Sequence, residues 1–342
     1  MFNHLKIQTI ISLITIFIFA NSAQSEEIIQ LGGKNLLTIE TDALYPEGIE
    51  YNPYSGEFLL NSFREGAVYA VNQKGDFRLF IKDKRLITGM GLRVDAKRNR
   101  LYVVTSDLGV SKRKSELGPK SFASLGIYEL SSGKPISFIN LATLRPKSEK
   151  HIANDITIDG RGNVYVTDSL APVIYKIDLT GRPSVFLESK KDFSGEGFNL
   201  NGIVYHPDGF LIVAKKNEGF LFKIPLSNPN NYTKIQSNLN LIGADGLVLI
   251  NKHKLVVITN RAAGVKSDTV FTLTSSDGWK TGHVTDKYTF TADEYPTTGT
   301  LKDGKVFVVY SRINRLIFNK AEEQAEGFSQ KSIIQQVGTI KK

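Results

Sequence analysis

Apolar and polar residues alternate with a period of two in short runs separated by Gly, Asn and Asp, and this unit recurs along most of the chain. Its clearest copy is Ile152 to Ser169, IANDITIDGRGNVYVTDS. The copy opens on Asn154-Asp155, alternates through Ile156 and Ile158, and turns at Asp159-Gly160-Arg161-Gly162. It then returns as the β-branched and aromatic run Val164-Tyr165-Val166-Thr167. Such alternation bounded by turn residues predicts strand, tight turn, strand. The same frame recurs at Asn201-Gly-Ile-Val with Leu211-Ile-Val and at Asp245-Gly-Leu-Val with Leu255-Val-Val, with the same ten-residue step. Glu47-Gly-Ile-Glu fits it too, and weaker copies begin at Met90-Gly-Leu-Arg and Thr298-Gly-Thr-Leu.

Further strands follow each hairpin, as in Ala67-Val-Tyr-Ala-Val with Phe77-Arg-Leu-Phe-Ile, and Val173-Ile-Tyr-Lys-Ile with Ser184-Val-Phe-Leu. The six starting positions are spaced by 43, 64, 47, 44 and 53 residues. Four strands per 40 to 50 residues, with no useful run of 3.6-residue periodicity, predict an all-β fold: a six-bladed β-propeller with four-stranded blades. The long step holds a polar insertion, Leu108 to Ser124, which reads as a surface loop that could overhang the axis. Asn35 to Glu40 is β-like but has no repeat of its own. In a ring of repeats such an orphan strand pairs with the last repeat and closes the circle.

Residues 1–25 carry Lys6, an apolar run from Ile10 to Ala20, and small residues at Ala23 and Ser25 before Glu26-Glu27. This is the pattern of a secretory signal peptide, too short in its apolar run to span a bilayer. The expectation is an exported chain, periplasmic or secreted, with residues 26–342 as one propeller domain, no integral membrane span and a monomeric state. Cysteine is absent, which excludes disulfides, thiolate metal sites and a cysteine nucleophile. The formal net charge of +9 falls by one on losing Lys6, but the basic residues are scattered apart from Lys112-Arg113-Lys114. Nucleic acid is therefore not the expected partner; a small-molecule substrate is.

Candidate chemistry follows from the repeat. Innermost strands line the channel of a propeller, so equivalent positions converge on one axis. The first positions are Glu47, Met90, Asn154, Asn201, Asp245 and Thr298. Taken singly, Asn201-Gly202 and Asp245-Gly246 are ordinary turn dipeptides; their shared phase makes them a ring. Glu47, Asn154, Asn201 and Asp245 offer four oxygen donors with no histidine, a set suited to calcium or another hard divalent cation rather than zinc or copper. Met90, Thr298 and Asp155, the acidic residue at the second ring position, join the candidate pocket. So do Arg64 and Arg312, which hold matching places after the second strands and could bind an anion or blade carbonyls.

These motifs, Pro46-Glu-Gly, Asn154-Asp-Ile-Thr-Ile-Asp, Asn201-Gly-Ile-Val-Tyr-His-Pro-Asp-Gly and Ala244-Asp-Gly-Leu, resemble the calcium-dependent six-bladed propellers of the senescence-marker-protein/gluconolactonase family. More distantly they resemble paraoxonases and diisopropyl fluorophosphatase. The resemblance runs from about Leu44 to Phe318. It implies a catalytic divalent cation on Glu47, Asn154, Asn201 and Asp245, with Asp245 as base or nucleophile in hydrolysis of a lactone or related ester; Glu47 has the same chemistry available. Met90 stands where the family has a polar pocket residue, and the paraoxonase histidine pair has no counterpart. Two other readings remain open: a non-catalytic exported propeller binding a small molecule or envelope partner, and a metal-free strictosidine-synthase-like propeller.

Overall fold

The computed structural model describes residues 34–41, 44–290, 294–318 and 330–339. The expected signal peptide, residues 1–25, and most of the charged segment 321–330 lie outside the described residues. Strand β1 (Lys34–Thr41) precedes the first meander, β2 (Ile49–Asn52), β3 (Glu57–Asn61), β4 (Ala67–Val71) and β5 (Phe77–Lys82). The second is β6 (Thr88–Asp95), β7 (Arg100–Ser106), β8 (Ala123–Glu129) and β9 (Pro135–Asn140). The third is β10 (Ala153–Ile158), β11 (Val164–Asp168), β12 (Val173–Ile177) and β13 (Pro183–Glu188). The fourth is β14 (Leu200–His206), β15 (Phe210–Lys215), β16 (Phe220–Pro225) and β17 (Thr233–Ser237). The fifth is β18 (Ala244–Asn251), β19 (Lys254–Thr259), β20 (Thr269–Thr274) and β21 (Thr281–Thr289). The last sheet combines β22 (Pro296–Lys302), β23 (Lys305–Tyr310), β24 (Gln330–Thr339) and β1, in the order β1-β24-β23-β22. The orphan strand thus pairs antiparallel with the C-terminal strand, as the sequence predicts.

Hydrogen bonding alone gives five sheets, because the fourth and fifth meanders join through two parallel pairs, Gln236↔Thr281 and Ser237↔Gly282. The innermost strands make the repeat count plainer. Strands β2, β6, β10, β14, β18 and β22 each lie beside the next, and β22 returns to β2. The result is a propeller-like ring of four-stranded sheets.

Packing explains why the strands read as apolar on both faces. Leu59, Val68 and Ala70 pack against Leu101 and Val103 of the second meander, while Phe58, Leu60 and Val71 pack against Phe307 and Val309 of the last sheet. Alternate residues of one sheet therefore enter two different cores. Six such clusters separate consecutive sheets. At about 25 cal/mol per Å² of apolar surface, these interfaces are the main favourable term holding the ring.

Two features escaped the sequence reading. Short helices α1 (Lys190–Phe193) and α2 (Ile313–Phe318) interrupt the strands. The insertion is also bolted down rather than merely solvated. Arg113 Nη1 donates to the carbonyls of Gly66, Asp83 and Leu86, and Ser111 Oγ lies 2.7 Å from the carbonyls of Arg64 and Ile87.

Candidate active site at the propeller axis

A β-bulge sits where five of the six inner strands meet the axis. In β10, Ala153 pairs with Asp168 and Ile156 with Val166, so Asn154 and Asp155 share the space of one partner residue. Strand β14 does the same between Leu200 and Ile203, β18 between Ala244 and Leu247, β6 between Gly89 and Leu92, and β22 between Pro296 and Thr298. A bulge re-aims a side chain without ending the strand, and here it frees Met90, Asn154, Asn201 and Asp245 from the ladder.

The glycines after these residues have a physical cause. A Cβ on Gly202 would lie 2.1 Å from the Asp245 carbonyl oxygen, on Gly48 2.7 Å from that of Met90, and on Gly246 2.5 Å from Thr298 Cα. At these three glycines the inner strands of neighbouring sheets approach too closely for a side chain. Asp155 replaces glycine in the third sheet and uses its carboxylate as a strap, accepting from Ile156 N at 2.8 Å and from Ile203 N of the next sheet at 3.1 Å.

Glu47, Met90, Asn154, Asn201 and Asp245 line one cavity of about 30 Å³. One water needs about 10–15 Å³ on this measure, so the space suits an ion with a water. Its apolar walls come from Phe63, Leu108, Phe198, Ile313 and Ile317, with Tyr295 beside them. Leu108 belongs to the insertion, and α2 supplies the two isoleucines.

Hydrogen bonds turn the floor's oxygens inward. Asn61 Oδ1 accepts from the backbone N–H groups of Glu47 (3.1 Å) and Gly48 (2.9 Å), and Thr297 Oγ1 donates to the Glu47 carbonyl at 2.7 Å. Asn154 Nδ2 donates to Ser169 Oγ at 2.9 Å, which leaves its Oδ1 for the cavity. That Oδ1 and Glu47 Oε2 are both buried without a partner. Buried polar atoms are nearly always satisfied, so two orphaned acceptors on one small cavity fit a cation or its water. Burial pushes the Glu47 carboxyl well above the ordinary glutamate range, and the charges of Asp245 and Asp155 push the same way, against Lys216. Among the described residues no three His, Cys, Asp or Glu side chains gather as a metal site. The donor set here is two carboxylates and two amides, all oxygen.

Lys216 is the resident that sequence reasoning missed. It follows β15, is buried, and its Nζ lies 2.8 Å from Asp245 Oδ2 and 2.6 Å from Asn260 Oδ1. Asn260 Nδ2 donates to the same Asp245 Oδ2 and to the Pro296 carbonyl, closing a triangle. The Tyr295 ring lies 5.8 Å from the ammonium. Lys215 points the other way, donating to Ser194 O at 2.5 Å and Asn199 Oδ1 at 2.7 Å.

The other predicted residues lie off the cavity lining. Thr298 packs on Gly246. Arg312 pairs with Glu294 at 3.2 Å, and the Arg64 carbonyl receives the insertion. His151, which also lies off the lining, is held by Asp168 Oδ2 at 3.0 Å in a buried cluster with Tyr175.

Solved structures with this fold include a gluconolactonase from Xanthomonas campestris, at 13% identity over 90% of this chain and 91% of that one, with a TM-score of 0.58. The fold is a β-propeller of the kind found in gluconolactonases. A putative gluconolactonase aligns at 13% identity over 92% of this propeller and 97% of its own length, with a TM-score of 0.55. Virginiamycin B lyase from Staphylococcus aureus aligns at 12% identity over 90% of this propeller and its own full length, with a TM-score of 0.52. No family model matches the sequence, and no curated protein does. No helix among the described residues is long and apolar enough to cross a membrane.

Proposed function

We propose that the protein is an exported metal-dependent hydrolase of a lactone or related ester, with calcium or another divalent cation at the propeller axis. The observation that carries the reading is the pair of orphaned oxygens, Glu47 Oε2 and Asn154 Oδ1, facing one cavity with Asn201 and Asp245. These four residues would hold the ion. Bound there, a divalent cation supplies Lewis acidity towards a carbonyl oxygen. The choice of a lactone draws support from the fold neighbours described as gluconolactonases, and export from the N-terminal apolar segment.

The chain's own residues perform the remaining work. Both polar contacts of the Asp245 carboxylate fall on Oδ2, so Oδ1 serves to take a proton from water or to attack the carbonyl carbon. Asn154 and Asn201 are neutral and would bring oxygen donors to the cation without adding negative charge. The apolar walls exclude bulk water, which strengthens every charge interaction on the floor.

The test is a screen of lactones, aryl esters and phosphotriesters with protein stripped by a chelator and then resupplied with calcium. Turnover is expected only with the ion. Asp245→Asn is expected to lose about 10²-fold or more of that turnover and keep much of its cation binding, whereas Glu47→Gln weakens cation binding first. Wild-type turnover in Asp245→Asn would show that the roles are wrongly assigned.

A further inference from the structure

Lys216 divides the ring into two unequal halves. On the Asp245 side one carboxylate oxygen is already partnered without an ion: Lys216 Nζ reaches Asp245 Oδ2 and Asn260 Oδ1, and Asn260 Nδ2 returns to Asp245 Oδ2. On the opposite side Glu47 Oε2 and Asn154 Oδ1 have no partner. The ammonium is itself at home, with two oxygen acceptors and an aromatic ring, the environment that stabilises a buried cation.

We infer that Lys216 is an internal cation that shares Asp245 with the divalent ion and sets how tightly the ring takes that ion. The inference rests on the proposed cation site and goes beyond it, because it assigns a role to a residue outside the oxygen ring. Oxygen-ligand cation sites are tuned over orders of magnitude by how many charges their ligands carry. Glu47 and Asp245 bring two negative charges, and Lys216, in direct contact with one of them, cancels half. A divalent ion entering beside Asp245 also meets the ammonium's repulsion across a cavity walled by apolar side chains, where water screens little. The site is thereby a weak, exchangeable one rather than a permanently loaded one. Its ion-free form is held together on one side by Lys216 and Asn260. Lys216 is a positioning residue in this scheme; the substrate need not touch it.

The experiment is calorimetric titration of calcium into the chelator-stripped protein at one fixed pH, for wild type, Lys216→Met, Lys216→Gln and Lys216→Arg, with thermal melts in parallel. Removing the charge should tighten calcium binding on the order of tenfold or more, and calcium should raise the melting temperature of Lys216→Met and Lys216→Gln more than that of wild type. Lys216→Arg, which keeps the charge, should stay at or below wild-type affinity. Binding by the neutral variants but not by wild type supports the role of Lys216 while removing the ion from the native protein's mechanism. Equal affinity in all four proteins overturns the Lys216 inference and leaves the cation site standing. Binding by none overturns both. Failure of both neutral variants to fold even in excess calcium also overturns it, because an ion that competes with Lys216 for Asp245 should replace it.

Discussion

Replacing Gly202 by alanine tests the closeness of the inner strands, on which the whole site depends. The new methyl carbon would stand 2.1 Å from the Asp245 carbonyl oxygen and 2.9 Å from Leu247 Cγ, inside the 3.0 Å that real Cβ atoms respect. The obstacle is backbone, so β14 and β18 must part by about 0.9 Å. Overpacking of this kind costs roughly 1–3 kcal/mol, and the unfolded-chain gain of a Gly→Ala change returns only about 0.4–1 kcal/mol. At about 2 °C per kcal/mol for a chain of this size, the melting temperature should fall by up to about 5 °C. The shift also separates Asn201 from Asp245, so calcium affinity should fall with it. Gly160→Ala is the control: its nearest neighbour, the Tyr205 hydroxyl, stands at an ordinary 3.5 Å. Chemical denaturation of both variants decides the matter. If Gly202→Ala is as stable as Gly160→Ala within about 0.5 kcal/mol, a typical surface-substitution effect, then close strand approach is not why the glycine is there.

Asn61→Ala strands the buried N–H groups of Glu47 and Gly48, at about 1–3 kcal/mol per unsatisfied group; urea denaturation should show a loss of at least 2 kcal/mol, and an unchanged midpoint would refute the support role. Burial, opposed by Arg93, carries Glu50 up to about 7 and Asp155 up to about 6, from unfolded values near 4. The folded ion-free protein therefore keeps protons that the unfolded chain has lost, so stability falls as pH rises from about 4 to about 7; Glu50→Gln should flatten that slope in thermal melts, and a slope of the opposite sign would refute it.

The fold was legible because both sheet faces are buried and the turns are chemically explicit. Asn154, Asn201 and Asp245 shared a phase, and that phase carried through into shared bulges. What the sequence concealed is the second circle of side chains. Asn61, Ser106, Ser169, Lys216, Asn260 and Ser311 close or follow the second strands, and all but Lys216 lack any signature beyond polarity. Ser106 Oγ bonds the Ala153 carbonyl at 2.9 Å, and Ser311 Oγ bonds that of Pro46 at 3.1 Å. Applying the repeat phase to the second strands would have found them. Lys216 was hidden for another reason: Lys215-Lys216 looks like surface charge, and burial of both depends on acceptors from Asn199, Asp245 and Asn260, which are distant in sequence. The walls were unreadable because Ile313 and Ile317 come from a helix with no periodic pattern long enough to register.

The pairing of β1 with β24 has a consequence for how the molecule can go wrong. Every meander forms from neighbours in sequence, whereas Glu40 meets Lys331 only across the span of the whole propeller. By the logarithmic law of loop closure that span costs about 5 kcal/mol in chain entropy, so the clasp is the natural last event in assembly. Until it shuts, β24 presents a bare edge with unpaired amides and carbonyls. The β1 strand of a second copy fits that edge as well as the chain's own. At high concentration, strand exchange between half-closed rings is therefore the misassembly this topology invites.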